Sequence, residues 1–168
     1  MIENAILEAG RFDPTQRELL AITWRLLHAI DTGDATTYAQ LSLPDLTCFE
    51  DVCPYRIDGL EFHLSLIRQA EHNPNARPIR FDMLTPHVQV YGDTGIVTYT
   101  RLMTCMENDA PVWKACNETR VFVRQNGAWK MAHFHRSPTW PYAGPGPGSS
   151  GSSSSCRYTA SCQRPNLW

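Results

Sequence analysis

An α+β fold is predicted, with a long N-terminal helix packed on one face of a curved antiparallel sheet. Three observations predict it. An amphipathic helical pattern opens the chain between residues 13 and 33. Four extended runs follow between residues 79 and 137. The pairs between those runs, Gly92-Asp93, Asn108-Asp109 and Asn126-Gly127, are short turns, which makes neighbouring strands antiparallel. A chain of 168 residues, 42% hydrophobic and 19% charged, has enough apolar material for one domain with a real core.

The elements follow in order. Asp13 can cap the first helix, Pro14 suits its first position, and Gln16 stands where a capping-box partner belongs. Leu19, Leu20, Ile22, Trp24, Leu26, Leu27 and Ile30 then recur every three or four residues and cover about half the cylinder. Gly33 is a stop. Asp34 can cap a short second helix with Tyr38 and Leu41, ending before Pro44. Leu46 to Phe49 reads as a short strand, the stretch around Pro54 as a loop, and Gly59 to Glu71 as a helix with Leu60, His63, Leu64 and Ile67 on one side. The four strands are Ile79 to Tyr91, Gly95 to Met106, Val112 to Arg124 and Ala128 to Ser137. From Ala143 a Gly/Pro/Ser run predicts a flexible tail that ends with Cys156, Cys162 and Trp168. The expected division is therefore an extension over 1–12, a domain over 13–142 and a tail over 143–168.

Composition narrows the function. Fifteen basic against seventeen acidic residues leave a formal charge of −2, so no net basic field draws in nucleic acid. No apolar run approaches the ~20 residues of a membrane span, and the acidic start Met1-Ile2-Glu3-Asn4 is unlike a targeting peptide. A cytoplasmic protein is expected, with no membrane partner. None of the six cysteines forms a Cys-x-x-Cys pair, so no metal is expected from them. His133 and His135 lie two apart on one strand face, but a third ligand, Cys116 or His87, would be needed to hold a metal. No phosphate loop and no nucleophile signature appears. No cofactor and no catalytic residue is assigned.

The sharpest feature is charge inside strands. Arg101 shares a strand face with Tyr99 and Met103, and Arg120 shares one with Glu118 and Phe122; Arg136 repeats the anomaly in the last strand. A guanidinium there needs water, a counter-charge or a ligand. Each arginine either reaches solvent or pairs separately with Glu118, Glu61 or Asp82, or all converge on one ligand. The Asn126-Gly127 turn bears on this. A two-residue turn pairs Gln125 with Ala128 and Arg120 with His133, which puts Arg120 and Arg136 on opposite faces. A three-residue loop with left-handed Gly127 pairs Arg120 with Ala132 and puts them on one face.

Several motifs carry a resemblance. They are Ile30-Asp31-Thr32-Gly33-Asp34 with Tyr38, Cys48-Phe49-Glu50, Asp58-Gly59-Leu60-Glu61-Phe62-His63 and Thr85-Pro86-His87-Val88. Further along stand Tyr99-Thr100-Arg101, Glu118-Thr119-Arg120-Val121 and His133-Phe134-His135-Arg136-Ser137. In this order, over roughly Gln16 to Ser137, they resemble the association, or hub, domain of calcium/calmodulin-dependent protein kinase II. The sequence departs from that pattern with Leu64 after the pocket histidine and with Cys53-Pro54-Tyr55 in a shortened loop. The resemblance implies an NTF2-like cone. It implies a hub that binds copies of itself, as dimers assembled into rings. It also implies an anion pocket for a small carboxylate, built from His63, Arg101, Arg120, Arg136, Tyr99 and Glu118. With only about a dozen residues before the long helix, the chain is expected to be a hub without a kinase domain. The alternative function is a small NTF2-like enzyme of isomerase or dehydratase type, with His63, Tyr99 or Glu118 as the acid–base group.

Overall fold

The computed structural model describes residues 11–51, 53–71, 78, 80–107 and 110–139. The expected tail, with Cys156, Cys162 and Trp168, lies outside the described residues, as does all of the N-terminal extension except Arg11 and Phe12.

Helix α1 spans Pro14–Thr32. Its capping box forms in full. The Gln16 backbone N–H donates to Asp13 Oδ1 at 2.9 Å, and the Asp13 N–H donates to Gln16 Oε1 at 3.0 Å. Gly33 ends the helix in the left-handed region, φ 79°, as a C-terminal glycine does without steric cost. Asp34 caps α2, Ala35–Leu41, through the Thr37 N–H. Strand β1 covers Ser42–Phe49, four residues longer than the apolar pattern predicted. Pro44 is tolerated inside it because the pairing breaks between Ser42 and Thr47, where no ladder bond needs its missing N–H. The Pro44 carbonyl instead accepts from Leu60 N–H at 3.1 Å. After β2, Ile57–Asp58, left-handed Gly59 turns the chain into α3, Glu61–Glu71, two residues later than the sequence pattern places it.

Strands β3 (Arg80–Tyr91), β4 (Thr94–Glu107), β5 (Ala110–Gln125) and β6 (Ala128–Pro138) form the expected antiparallel meander. The sheet order is β2-β1-β6-β5-β4-β3, because β1 adds beside β6 in parallel. The inner face of the sheet buries Val97, Phe122, Trp129 and Met131 together with Leu19, Leu20, Leu26 and Leu27 of α1. The helix lies very close to β4. A methyl group at Gly95 would fall 2.6 Å from Leu19 Cδ1.

Two bulges shape this sheet. On β3 the register slips between Leu84 and His87, with Thr85 at φ 48° and Pro86 on an edge strand that can spare a donor. On β6 the slip falls beside Ala132. Phe122 pairs with Met131, but Val121 pairs with His133. The hairpin turn itself has two residues, with Asn126 at φ 51° and Gly127 at φ 80°, and it pairs Gln125 with Ala128. The three-residue loop is therefore not what the chain adopts. The extra residue lies inside β6, where it has the same effect on everything beyond it.

Candidate functional site

The Ala132 bulge builds the site. Trp129 and Met131 face inward on one side of it, and Phe134 and Arg136 face inward on the other. Arg120 then pairs across the ladder with Phe134, and Glu118 with Arg136. On the other flank of β5, Tyr99 of β4 sits opposite Glu118, and Arg101 sits opposite Cys116. One inner row therefore carries Arg101, Tyr99, Glu118, Arg120 and Arg136. Helix α3 brings His63 over it and α2 brings Tyr38. These side chains, with Ile30, Glu50, Leu66, Ile67 and Phe134 but without Tyr99, line a cavity of about 50 Å³.

Arg120 is only 1% exposed and is fully engaged. Its Nε donates to Tyr99 Oη at 2.7 Å, Nη2 to Glu118 Oε2 at 2.9 Å and Nη1 to Met131 Sδ at 3.1 Å. The guanidinium also lies 5.1 Å from the centre of the Phe134 ring. The Tyr99 hydroxyl in turn donates a 2.5 Å hydrogen bond to Glu118 Oε2. Arg101 pairs with Asp31 at the end of α1 and covers the Phe81 ring at 5.2 Å. Arg136 faces Asp51 at 3.0 Å and Glu50 at 3.7 Å. Of the partners foreseen for separate pairing, Glu118 takes Arg120, whereas Glu61 and Asp82 bind Arg68 and Arg80 at the surface. The three arginines therefore line one cavity, and each is paired there with at least one carboxylate.

The protonation states follow from burial against charge. Burial pushes the Glu118 carboxyl up, but Arg120, Arg101 and the Tyr99 hydrogen bond outweigh it and hold Glu118 below the usual range. Glu50 goes the other way. Burial lifts it to about 6 in spite of Arg136. Burial and Arg120 together depress His63 to about 4, so its ring is neutral. Its Nε2 lies 3.2 Å from Cys48 Sγ, and burial pushes that thiol up to about 12. Burial also raises the phenols of Tyr38 and Tyr99. A neutral imidazole, a pinned carboxylate and two reluctant phenols leave Glu50 as the group whose titration lies nearest neutrality.

The outer face carries His133 and His135 on either side of Phe49, with Thr47 Oγ1 at 2.8 Å from His133 Nδ1. Cys116 points inward, away from both, and His87 stands on β3 across the sheet. Among the described residues no three His, Cys, Asp or Glu side chains cluster as a metal site. No helix among them is long and apolar enough to cross a membrane.

A family model described as the calcium/calmodulin dependent protein kinase II association domain matches residues 15–140. This chain belongs to that family. The association domain is 33% identical over 147 residues to the delta subunit of the type II kinase from Oryctolagus cuniculus; the match takes in 84% of this chain and 27% of that relative's length. It is also similar to the solved hub homology domain of C. reinhardtii, at 35% identity and a TM-score of 0.67, over 76% of this chain and 99% of that one. A protein of the NTF2-like family from Streptomyces avermitilis shares the fold at a TM-score of 0.63 and 22% identity, over 74% and 96% of the two chains. The fold expected from the sequence is thus the fold found.

In this association domain the structure gathers all six residues singled out from the sequence. It adds four that sequence reasoning did not single out: Asp31, Glu50, Asp51 and Tyr38. Asp31 had a legible signal. It continues the buried face of α1 one turn beyond Leu27, at the helix end where a carboxylate is least favoured.

Proposed function

We propose that this association domain is an assembly module that acts in the cytoplasm. It pairs with copies of itself, the dimers close into rings, and the cavity accepts a small carboxylate or a similar anion. Family membership over residues 15–140 supports the assembly, and the convergence of Arg101, Arg120 and Arg136 supports the ligand. Light scattering at micromolar concentration tests the first part. A mass of many 19.0 kDa subunits is expected, and a monomer or plain dimer across that range rejects the reading. Melting curves test the second part. Millimolar small carboxylates, with or without further polar groups, should raise the transition by mass action, by about 2.7 kcal/mol at a hundredfold excess over Kd. A curve that no carboxylate moves rejects the pocket.

The enzyme reading keeps one observation in its favour. Glu50 lines the cavity with a carboxyl lifted to about 6, near where a general base works. His63, Tyr99 and Glu118, the acid–base residues that reading first named, are all displaced from that range or held by arginine. The balance favours holding an ion over moving a proton.

A further inference from the structure

The cavity is lined with arginines, but it is not a basic pocket. Its three guanidinium groups face four carboxylates: Asp31 on Arg101, Glu118 on Arg120, and Glu50 with Asp51 on Arg136. A plain carboxylate entering this set adds a fifth negative charge in a place where screening is weak. Yet the polar atoms left over are of both kinds. Arg101 Nε and Arg136 Nε are buried donors with no hydrogen-bond partner among the described residues. Glu118 Oε1 is a buried acceptor in the same condition, while its sister oxygen takes both Tyr99 and Arg120. Arg101 is 2% exposed and Glu118 is 3% exposed, so neither is satisfied by bulk water. Groups of this kind cost free energy until something pairs with them. The residues that carry them, Arg101, Glu118 and Arg136, all line the one small cavity.

From this arrangement we propose that the pocket selects a small amino carboxylate. Its carboxylate takes the Nε–H groups of Arg101 and Arg136, the latter 3.7 Å from Glu50 Oε2 and beyond hydrogen-bond reach of it, its ammonium takes Glu118 Oε1, and Asp31 is the residue that discriminates against plain carboxylates. This rests on the anion-pocket reading above and narrows it. A zwitterion brings no net charge, and it satisfies a donor set and an acceptor that a plain carboxylate leaves half unpaired. Asp31 acts by position. It already occupies one edge of the Arg101 guanidinium, the place where a second carboxylate would otherwise bind in fork geometry. The cavity volume, about 50 Å³, restricts the ligand to a few heavy atoms.

Calorimetric titration of the intact chain with 3-aminopropanoate and its isostere butanoate tests this. The amino compound should bind at least tenfold more tightly. In Asp31→Asn, butanoate should gain at least tenfold and the preference should shrink. Glu118→Gln should lose the preference for the ammonium; where that variant does not fold, Asp31→Asn decides alone. Equal or tighter binding of butanoate by the parent overturns the selectivity while leaving an anion pocket in place. An Asp31→Asn variant with unchanged butanoate affinity overturns the role of Asp31. Binding of neither compound by the parent, in a protein that no other carboxylate stabilises, removes the pocket itself and this proposal with it.

Discussion

Arg120 shows how a strand arginine is held. It spends every nitrogen on the protein, so its removal exposes a need rather than a space. Arg120→Ala leaves Glu118 charged and buried without its main partner, and should cost about 3–5 kcal/mol in a denaturant titration. Arg136, with 18% of its side chain exposed and two carboxylates nearer the rim, should cost clearly less. Two titrations then oppose each other. Glu50 has its pKa raised from 4.5 to about 6. The folded state therefore holds this proton more tightly. Its contribution is complete below about pH 4.5 and is lost as pH rises through about 6, roughly 2 kcal/mol in all. His63 is depressed from 6.5 to about 4, so its contribution is complete above about pH 6.5 and lost as pH falls towards 4. Glu50→Gln should remove the first effect and leave stability rising more steeply with pH between 4 and 6.5 than in the parent. An identical pH profile in the variant would contradict the buried position of Glu50. At this scale the sequence showed which residues were anomalous, because charge in a strand is conspicuous. It did not show their partners. Asp31 and Arg101 are brought together by the docking of α1 on β4, which no local pattern encodes.

The bulge at Ala132 decides which residues become a site. Without it, Phe134 and Arg136 would face outward and the inner row would end at Arg120. Deletion of Ala132 should force that choice: either Trp129 and Met131 leave the core, or Phe134 and Arg136 leave the cavity. The expected outcome is loss of the cooperative melting transition, or of carboxylate binding in any variant that still folds. A deletion mutant that melts and binds like the parent would remove the bulge from the account. The helices were legible because each carries its own punctuation, Asp13 and Gly33 above all, and because their apolar spacing is local. The hairpin turn was legible as a set of alternatives, and the chain takes the two-residue one. The bulge had left a trace as well. The inward apolar positions of β6 run Trp129, Met131, Phe134, and the step from two to three is the slip itself. The pairing of β1 with β6 left none, since a short apolar strand gives no sign of which edge it will join.

For the whole molecule, the α+β class followed from element order alone, and the cone from the resemblance carried by its motifs. Assembly belongs to this scale. Val97 is covered by α1, but Val121 and Val123 stay half-exposed on the outer face of the sheet with Phe49. Removal of residues 143–168 should leave melting and the number of subunits in the assembly unchanged, because the family match ends at residue 140; a truncated chain that aggregates or dissociates would extend the domain into that segment. The parallel pairing of β1 with β6 also sets the timing of synthesis. Thr47 and His133, which meet side by side, are 86 residues apart. At about 5–20 residues per second, β1 and the leucine face of α1 leave the ribosome some 4–17 seconds before the strand that completes their sheet. Until β3 and β4 emerge the nascent chain is an amphipathic helix with no sheet to cover it, and until β6 emerges that sheet is incomplete. Nascent chains arrested before Ala128 should therefore be cut readily by protease and held by chaperones, and those released after Pro138 should not.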